Sequence, residues 1–483
     1  MKRLLYAQQL GGAKDRKSPI NRRINIDILS LIRILHTIMR QEPQLRNRLG
    51  KEKQIPLLYF LGTILAGSFL LVLPISSEEG NLSYLDALFE ATSAVCVTGL
   101  AVVDTTRLSR FGQTVILFLI QLGGLGIVTF STLYIFMPRR TVSVTTHGMI
   151  KDYTLSSVEY RTRRTIREII AWTASFELIA AFVIWPTLAK NGYSFYDALF
   201  HAISAFCNAG FSTLRSGMES FRDDVLLNVV TMLLIVSGGI GFIVLQDIMR
   251  FVRKEKRHLS YHSSVVLRTT AVLIVLGAIV FYVLEQNHAY KEMSQGSKVM
   301  AALFQSVTPR TCGFDTVSQA NLSSSSQLVT IILMFIGASP GSTGGGIKTV
   351  TLYILLLVAL RMREGGDTIV DRYRTVTHNA VLKAITALVR GATIVLVATT
   401  ILLVSERAAG HTVGLETAIF ECVSAFGTVG LSIGITPYLT AISKLVLIGA
   451  MFMGRAGLFI LAIPPSRYSP EPFAKYPKAD LLL

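Results

Sequence analysis

Four stretches of this chain are imperfect copies of one another, and that repetition constrains the fold more than any other feature. Asp86–Leu100 reads DALFEATSAVCVTGL and Asp197–Phe211 reads DALFHAISAFCNAGF. Thr417–Leu431 reads TAIFECVSAFGTVGL, while Ala301–Phe314, AALFQSVTPRTCGF, is more divergent and one residue shorter. Their terminal glycines, Gly99, Gly210, Gly313 and Gly430, are 111, 103 and 117 residues apart. Self-similarity at so even a period signals tandem structural units.

Each copy has the same surroundings: a hydrophobic segment before it and a glycine-containing one after it. Ile55–Leu73, Phe111–Met137 and Val225–Leu245 carry no charge, and Ile169–Ala189, Val265–Leu284, Gly391–Val404 and Leu445–Ile463 are weaker versions. With 51% hydrophobic and 16% charged residues among 483, the chain reads as a multi-span membrane protein. The helical part of each copy covers about ten residues, half a bilayer, and is expected to be re-entrant. The predicted fold is therefore an all-α integral membrane protein. Four tandem span, re-entrant pore helix, span repeats make eight crossings around a central pseudo-fourfold pore. The repeats fall at 55–138, 164–251, 264–361 and 380–464, between a basic segment 1–54 and a tail 465–483.

A net charge of +17 first suggests nucleic acid, but its distribution argues otherwise. Basic residues concentrate in Met1–Lys53, Arg139–Arg167, Arg250–Arg268 and Arg361–Arg390, every second connection between hydrophobic segments. The positive-inside rule places these and both termini in the cytoplasm of a multi-pass cell-membrane protein, with lipid rather than nucleic acid as its surroundings. Ile24–Met39 is apolar at helical spacing; it suits either an amphipathic helix on the inner leaflet or a cytoplasmic helix packed on the protein.

Extended backbone survives at membrane depth only when buried in protein or lining water. Four loops meeting on one axis would offer stacked rings of carbonyl oxygen in place of an ion's hydration shell. A terminal glycine permits the positive φ that turns a carbonyl inward. Pore-helix C-termini aimed at the centre add a negative dipole end. The loops are nearly neutral, which suits K⁺ or Na⁺ better than Ca²⁺. The candidate ion-binding residues are Val97, Thr98 and Gly99; Asn208, Ala209 and Gly210; Thr311, Cys312 and Gly313; and Thr428, Val429 and Gly430.

These loops resemble the selectivity-filter sequences of the Trk/Ktr/HKT superfamily of potassium transporters, and the resemblance runs from Ile55 to about Ser466. Lacking the extra N-terminal hydrophobic pair of Trk-type subunits, the chain is more similar to the Ktr-type membrane subunit. In that family glycine at the first filter goes with K⁺ permeation and serine with Na⁺ selectivity; this chain has Gly99. The resemblance also implies a role for FIGASPGSTGGGIKTVT, Phe335–Thr351, as an intramembrane loop that obstructs the pore and moves aside. The candidate gate is Ser339, Gly341, Ser342, Thr343, Gly344, Gly345, Gly346 and Lys348, with Arg455 of the last span beside it. Lys348 reads either as a positive plug or as reaching the inner headgroups. The resemblance further implies a homodimer and a separate cytoplasmic ring of nucleotide-binding regulatory subunits of the RCK type. K⁺ is the expected permeant ion, with Na⁺ possible and no organic cofactor on this chain.

Other readings fit less well. GSTGGGIKT lacks the Gly-Lys step of a phosphate-binding loop because Ile347 intervenes. Cys96, Cys207, Cys312 and Cys422 lie at different distances from their glycines and cannot converge on one metal. No catalytic constellation is present, so the chain is not expected to be an enzyme. The competing class is a secondary transporter with broken helices coupling a co-ion to substrate, which usually carries two inverted repeats rather than four in one orientation. Arg310 beside the third filter is expected to brace loop carbonyls, and Asp86 and Asp197 to cap their helices. Glu177 is expected to pack among polar groups, and Glu421 either to do the same or to brace the filter.

Overall fold

The computed structural model describes residues 43–78, 80, 82–136, 162–361, 369–371 and 374–457, with side chains from residue 56 onward except 127–136 and 162–165. The chain parts into units 1–55 and 56–483. The Ile24–Met39 segment, the tail 465–483 and most of the 1–54 segment lie outside the described residues.

One order of elements recurs four times. Helix α1 (Pro43–Val72) is followed by the short α2 (Tyr84–Cys96) and by α3 (Arg110–Phe136). Next come α4 (Thr162–Lys190), α5 (Phe195–Cys207) and a second span in two pieces, α6 (Val225–Ile240) and α7 (Phe242–Val252). The third unit is α8 (Tyr261–Glu285), α9 (Gln295–Val307), α10 (Ser324–Phe335) and α11 (Thr349–Arg361). A two-stranded antiparallel hairpin, β1 (Ile369–Asp371) with β2 (Arg374–Val376), precedes α12 (His378–Ala408), α13 (Leu415–Gly427) and α14 (Ala441–Phe452). The chain then closes in a π-helical turn, Met453–Gly457.

The short helices α2, α5, α9 and α13 each have 13 residues. At about 1.5 Å per residue that is ~20 Å, short of a hydrocarbon core of ~30 Å. Three of them start at a serine: Ser83 accepts from Asp86 N–H, Ser194 forms a capping box with Asp197, and Ser294 accepts from Ser297 N–H. The caps are thus the serines, and the two aspartates expected in that role sit three positions further on.

Burial is inverted relative to a soluble protein. Phe69, Phe118 and Leu396 are 64%, 66% and 68% exposed, whereas Glu90, Ser93, Thr98 and Glu421 are at most 1% exposed. Large apolar surface outside and polar groups gathered inside is the arrangement lipid demands. Among the described residues, Ile166–Lys190, Tyr261–Glu285 and His378–Ala408 are long and apolar enough to cross a membrane, and α6 with α7 makes a fourth candidate bent by 106°. The equivalent phenylalanines Phe89, Phe200, Phe304 and Phe420 are fully buried, one anchoring each short helix; each is worth roughly 1.5–3 kcal/mol.

Two ion pairs join the first unit to the second and to the fourth. Arg110 at the start of α3 meets Asp197 of α5 at 2.8 Å, and Lys444 of α14 meets Asp86 of α2 at 2.7 Å. The second of these links the last unit to the first. Arg110 is 60% exposed, so this pair contributes at most about 1 kcal/mol; its use is registry. On the other side, Asp371 ties the hairpin to α8 and α11 through the hydroxyls of Tyr261 and Tyr353 and the guanidinium of Arg361. The Tyr353 hydroxyl, with Tyr261 and Arg361, holds the Asp371 carboxyl below the usual carboxylate range.

Close approach of second spans to short helices depends on glycine. A methyl group at Gly123, Gly238 or Gly454 would lie 2.0, 1.9 or 1.8 Å from the carbonyl oxygen of Val95, Phe206 or Phe426. Gly62, in contrast, faces open space. We expect Gly123→Ala to lower the thermal stability of the detergent-solubilised protein by about 1–3 kcal/mol through overpacking. Gly62→Ala should be neutral or slightly stabilising, by up to about 1 kcal/mol. Equal melting shifts for the two variants would contradict this packing.

Candidate functional site

The short helices end in a strained turn. Val97, Asn208 and Thr428 are left-handed C-caps with φ of 55°, 61° and 51°, and Thr311 takes φ 79° in the shorter third copy. In the first copy, Val97 N–H bonds Ala94 O and Thr98 N–H bonds Ser93 O, satisfying helix-end carbonyls in the manner of a Schellman cap. Asn208 with Ala209 and Thr428 with Val429 repeat the pattern. Glycine normally fills this conformation; a non-glycine residue costs about 1–2 kcal/mol. The turn redirects the chain into the next two residues, ending at Gly99, Gly210, Gly313 and Gly430 with φ of 94°, 71°, 86° and 95°. Positive φ at the first and third residue but not the second turns successive carbonyls toward one side.

These four glycines form a closed ring. A methyl group on Gly99 would sit 2.4 Å from Ala209 O, on Gly210 2.6 Å from Cys312 O, on Gly313 2.3 Å from Val429 O, and on Gly430 2.2 Å from Thr98 O. Each loop thus abuts the next, in chain order, and the fourth abuts the first. Among the described hydrogen bonds none ends on the carbonyls of Thr98, Ala209, Cys312 or Val429. The site therefore combines converging neutral oxygens with short-helix C-termini, which favours a cation of low charge.

A second non-helical segment, between α10 and α11, seats against the first residues of three of these loops. The Asn208 amide and the Thr343 hydroxyl are 2.9 Å apart, and Gly345 N–H donates to the Thr428 hydroxyl at 3.0 Å. A methyl group on Gly344 would lie 2.0 Å from Thr311 Oγ1. The segment also folds on itself: Ile336 pairs with Ile347, and the Ser339 and Thr349 hydroxyls bond at 2.8 Å. Ser342 donates to Ser339 O. Lys348 turns back and donates to Gly344 O at 2.7 Å and Gly345 O at 3.3 Å, so its ammonium caps the segment instead of reaching outward. Arg455, 2% exposed, donates to Thr343 O and to Gly123 O, joining the fourth, third and first units.

Sequence reasoning missed two features. The run Val225–Leu245 is not one straight span: it breaks at Gly241, φ 93°, and the break knits to the segment above. Ser339 N–H bonds Gly239 O, Thr343 N–H bonds Gly238 O, and Phe242 N–H bonds Gly341 O. The glycines of SGGIGF were the available signal. The other feature is the fifth residue of each copy, whose shared offset was visible in the repeats: Glu90, His201, Gln305 and Glu421 are buried behind the loops. Glu421, expected either to pack among polar groups or to brace the loop, accepts from Ile433 N–H, Ser432 and Thr436 just beyond Gly430. Arg310 binds the Thr270 hydroxyl of α8, so it braces a span and not the loop carbonyls expected of it. Glu177 packs among polar groups as expected, accepting from Gln121 at 2.6 Å. All four cysteines are buried and free.

Residues 31–473 match the family model described as TrkH, cation transport protein. The chain belongs to the TrkH family of cation transport proteins. That family consists of membrane transport subunits and not enzymes. The chain is 35% identical to the potassium/sodium uptake protein NtpJ of Enterococcus hirae, over 92% of this chain and 100% of the relative. It is 35% identical to the Ktr system potassium uptake protein B of Vibrio alginolyticus, over 90% and 95% respectively, and 36% identical to its Bacillus subtilis counterpart, over 84% and 90%. The crystal structure of the potassium transporter TrkH from Vibrio parahaemolyticus shares the fold with a TM-score of 0.68 at 22% identity, covering 87% of this chain and 86% of that one.

Because Arg455 serves two buried carbonyls, Arg455→Gln is expected to lower thermal stability by about 1–3 kcal/mol. Thr343→Val removes one hydroxyl and keeps the backbone, so it should cost less, about 0.5–1.5 kcal/mol. Melting of the two solubilised variants checks the ranking, and the reverse order would contradict it.

Proposed function

We propose that this TrkH-family chain is the ion-translocating subunit of a K⁺ uptake system, conducting K⁺ passively through one central pore. The observation that carries the reading is the closed ring of Gly99, Gly210, Gly313 and Gly430 with free carbonyl oxygens beside it. The names of its curated relatives, as potassium or potassium/sodium uptake proteins, support the substrate. In this reading the four tandem units supply eight crossings in the cell membrane with both termini cytoplasmic. Ions bind one behind another at Val97–Gly99, Asn208–Gly210, Thr311–Gly313 and Thr428–Gly430. The segment from Ala338 to Lys348, pinned by Arg455, is the gate that must leave for ions to pass. A homodimer and a cytoplasmic nucleotide-binding ring complete the uptake system.

The chemistry requires no bond-making. Dehydrating an alkali ion is offset by oxygens already held in place, and neutral oxygens keep binding weak enough for release. The broken second spans also occur in secondary transporters, but four units closing one ring favour a pore.

Uptake assayed in a K⁺-uptake-deficient strain tests both parts. Gly99→Ser should reduce the preference for K⁺ over Na⁺; an unchanged preference would remove the ion-pathway assignment. Deletion of Gly341–Gly346 should give an ungated leak, and a deletion that still gates normally would remove the gate. Strict stoichiometric movement of a co-ion would favour the coupled transporter instead.

A further inference from the structure

We propose that the fifth residue of the first and fourth copies, Glu90 and Glu421, is a positioning residue for the loop that follows it. In this assignment the two carboxylates hold the first and fourth loops of the ion pathway from behind. The inference rests on the pathway reading and adds to it which side chains set the loop geometry.

The four positions share one register but not one chemistry or one direction. Glu90 Oε1 accepts from the consecutive N–H groups of Val102 and Val103 at 2.7 and 2.9 Å, three and four residues beyond Gly99. Glu421 Oε1 accepts from Ile433 N–H at 3.0 Å and the Ser432 hydroxyl at 2.6 Å, and its Oε2 accepts from Thr436 at 2.8 Å. Each carboxylate thus crosses from the short helix to the far end of its own loop. One turn further along, Ser93 and Ser424 accept from Gly99 N–H and Gly430 N–H at 3.0 and 3.1 Å. Two rungs therefore fix each of these loops, one at the glycine and one beyond it.

The second and third loops lack that pair of rungs. The Ser204 hydroxyl, equivalent to Ser93, has no partner. His201 reaches sideways: its Nε2 meets the Thr231 hydroxyl at 2.9 Å and its ring stacks on Phe314 of the next loop at 4.7 Å. Gln305 exchanges amide hydrogen bonds with Gln319 at 2.8 and 3.2 Å instead of holding backbone N–H groups. Consecutive backbone donors in a buried, non-helical segment need an acceptor, and a carboxylate oxygen is a strong one. Where the copy carries Glu, that need is met from behind the loop. Where it carries His or Gln, that rung is absent and other side chains tie the loop to its own short helix: Thr213 donates to Asp197 in the second copy, and Thr308 donates to Phe314 O in the third.

The test uses the full chain in the uptake-deficient strain and compares Glu90→Ala, Glu90→Gln and Glu90→Asp, with the same three at Glu421. Alanine removes the acceptor, glutamine keeps a carbonyl oxygen at the same reach, and aspartate keeps the charge but withdraws it by one methylene. The ratio of Na⁺ to Rb⁺ uptake is expected to rise about fivefold or more in Ala and Asp, the effect of losing one or two hydrogen bonds. Gln should stay within about twofold of the parent because the acceptor remains. A parental ratio in Ala and Asp would overturn the proposal. So would equal loss in Gln and Asp, which would make charge and size both essential, or failure of the Gln variants to reach the membrane. Gly99→Ser, run in parallel, separates the two levels: if it shifts the ratio while the Glu variants do not, the positioning role fails alone, and if it does not, the pathway reading fails.

Discussion

Main-chain polar groups at membrane depth must find partners inside the protein, and most of this architecture follows from that demand. A helix satisfies its own N–H and C=O groups; five segments of this chain at that depth are not helical. Each unpartnered group in hydrocarbon would cost several kcal/mol. The loops after α2 and α13 meet the demand with the serine and carboxylate rungs behind them. The segment between α10 and α11 meets it by bonding to the break at Gly241, to Thr428 and to Arg455. Among the described hydrogen bonds, none ends on the carbonyls of Thr98, Ala209, Cys312 or Val429 that line the ring.

Covalent fusion of four units lets each quarter diverge, and this chain exploits it. The second spans of the first and fourth units run past their short helices with Gly123 and Gly454 in contact, while those of the second and third are broken. The two breaks meet: the Ser339–Thr343 segment is hydrogen-bonded to Gly238, Gly239 and Phe242 through backbone atoms. Displacing the segment would therefore require either breaking these three bonds or moving the kink at Gly241 with it, and α7 is the element that leaves from that kink.

The sequence made the four copies, their terminal glycines, the neutral loops and the interruption after Phe335 legible, because each is a local pattern. It also exposed Arg455, since a charge inside an apolar run stands out. Other features depend on partners far away in the chain. The break at Gly241 hides in a run without charge, because a hydrophobic window does not register backbone direction, and only contact with Gly341 explains it. Lys348 was open to two readings, a positive plug or a side chain reaching the inner headgroups, and its acceptors are the carbonyls three and four residues before it. Arg310 was read from its proximity to the third loop in sequence, whereas its acceptor lies 40 residues earlier on α8. The residues at the ends of local patterns were visible; those whose role is set by a neighbour from another unit were not.

The first residue of each loop shows two demands in conflict. Its left-handed backbone would be met most cheaply by glycine, yet the chain places Val97, Asn208, Thr311 and Thr428 there, two of the last three β-branched. Strain of about 1–2 kcal/mol at each persists only where the surroundings over-determine it. At three of the four positions the reason is visible. The Asn208 amide bonds Thr343, the Thr428 hydroxyl accepts Gly345 N–H, and Thr311 Oγ1 packs where Gly344 has no side chain. Glycine would ease the turn and remove the seat on which the segment rests. The exception is Val97, whose loop has no such contact with the segment among the described bonds; there Arg455 links the first unit to the segment by donating to both Gly123 O and Thr343 O. The strained turn and the segment between α10 and α11 are thus one design: residues that end three of the short helices are also the surface on which the segment sits.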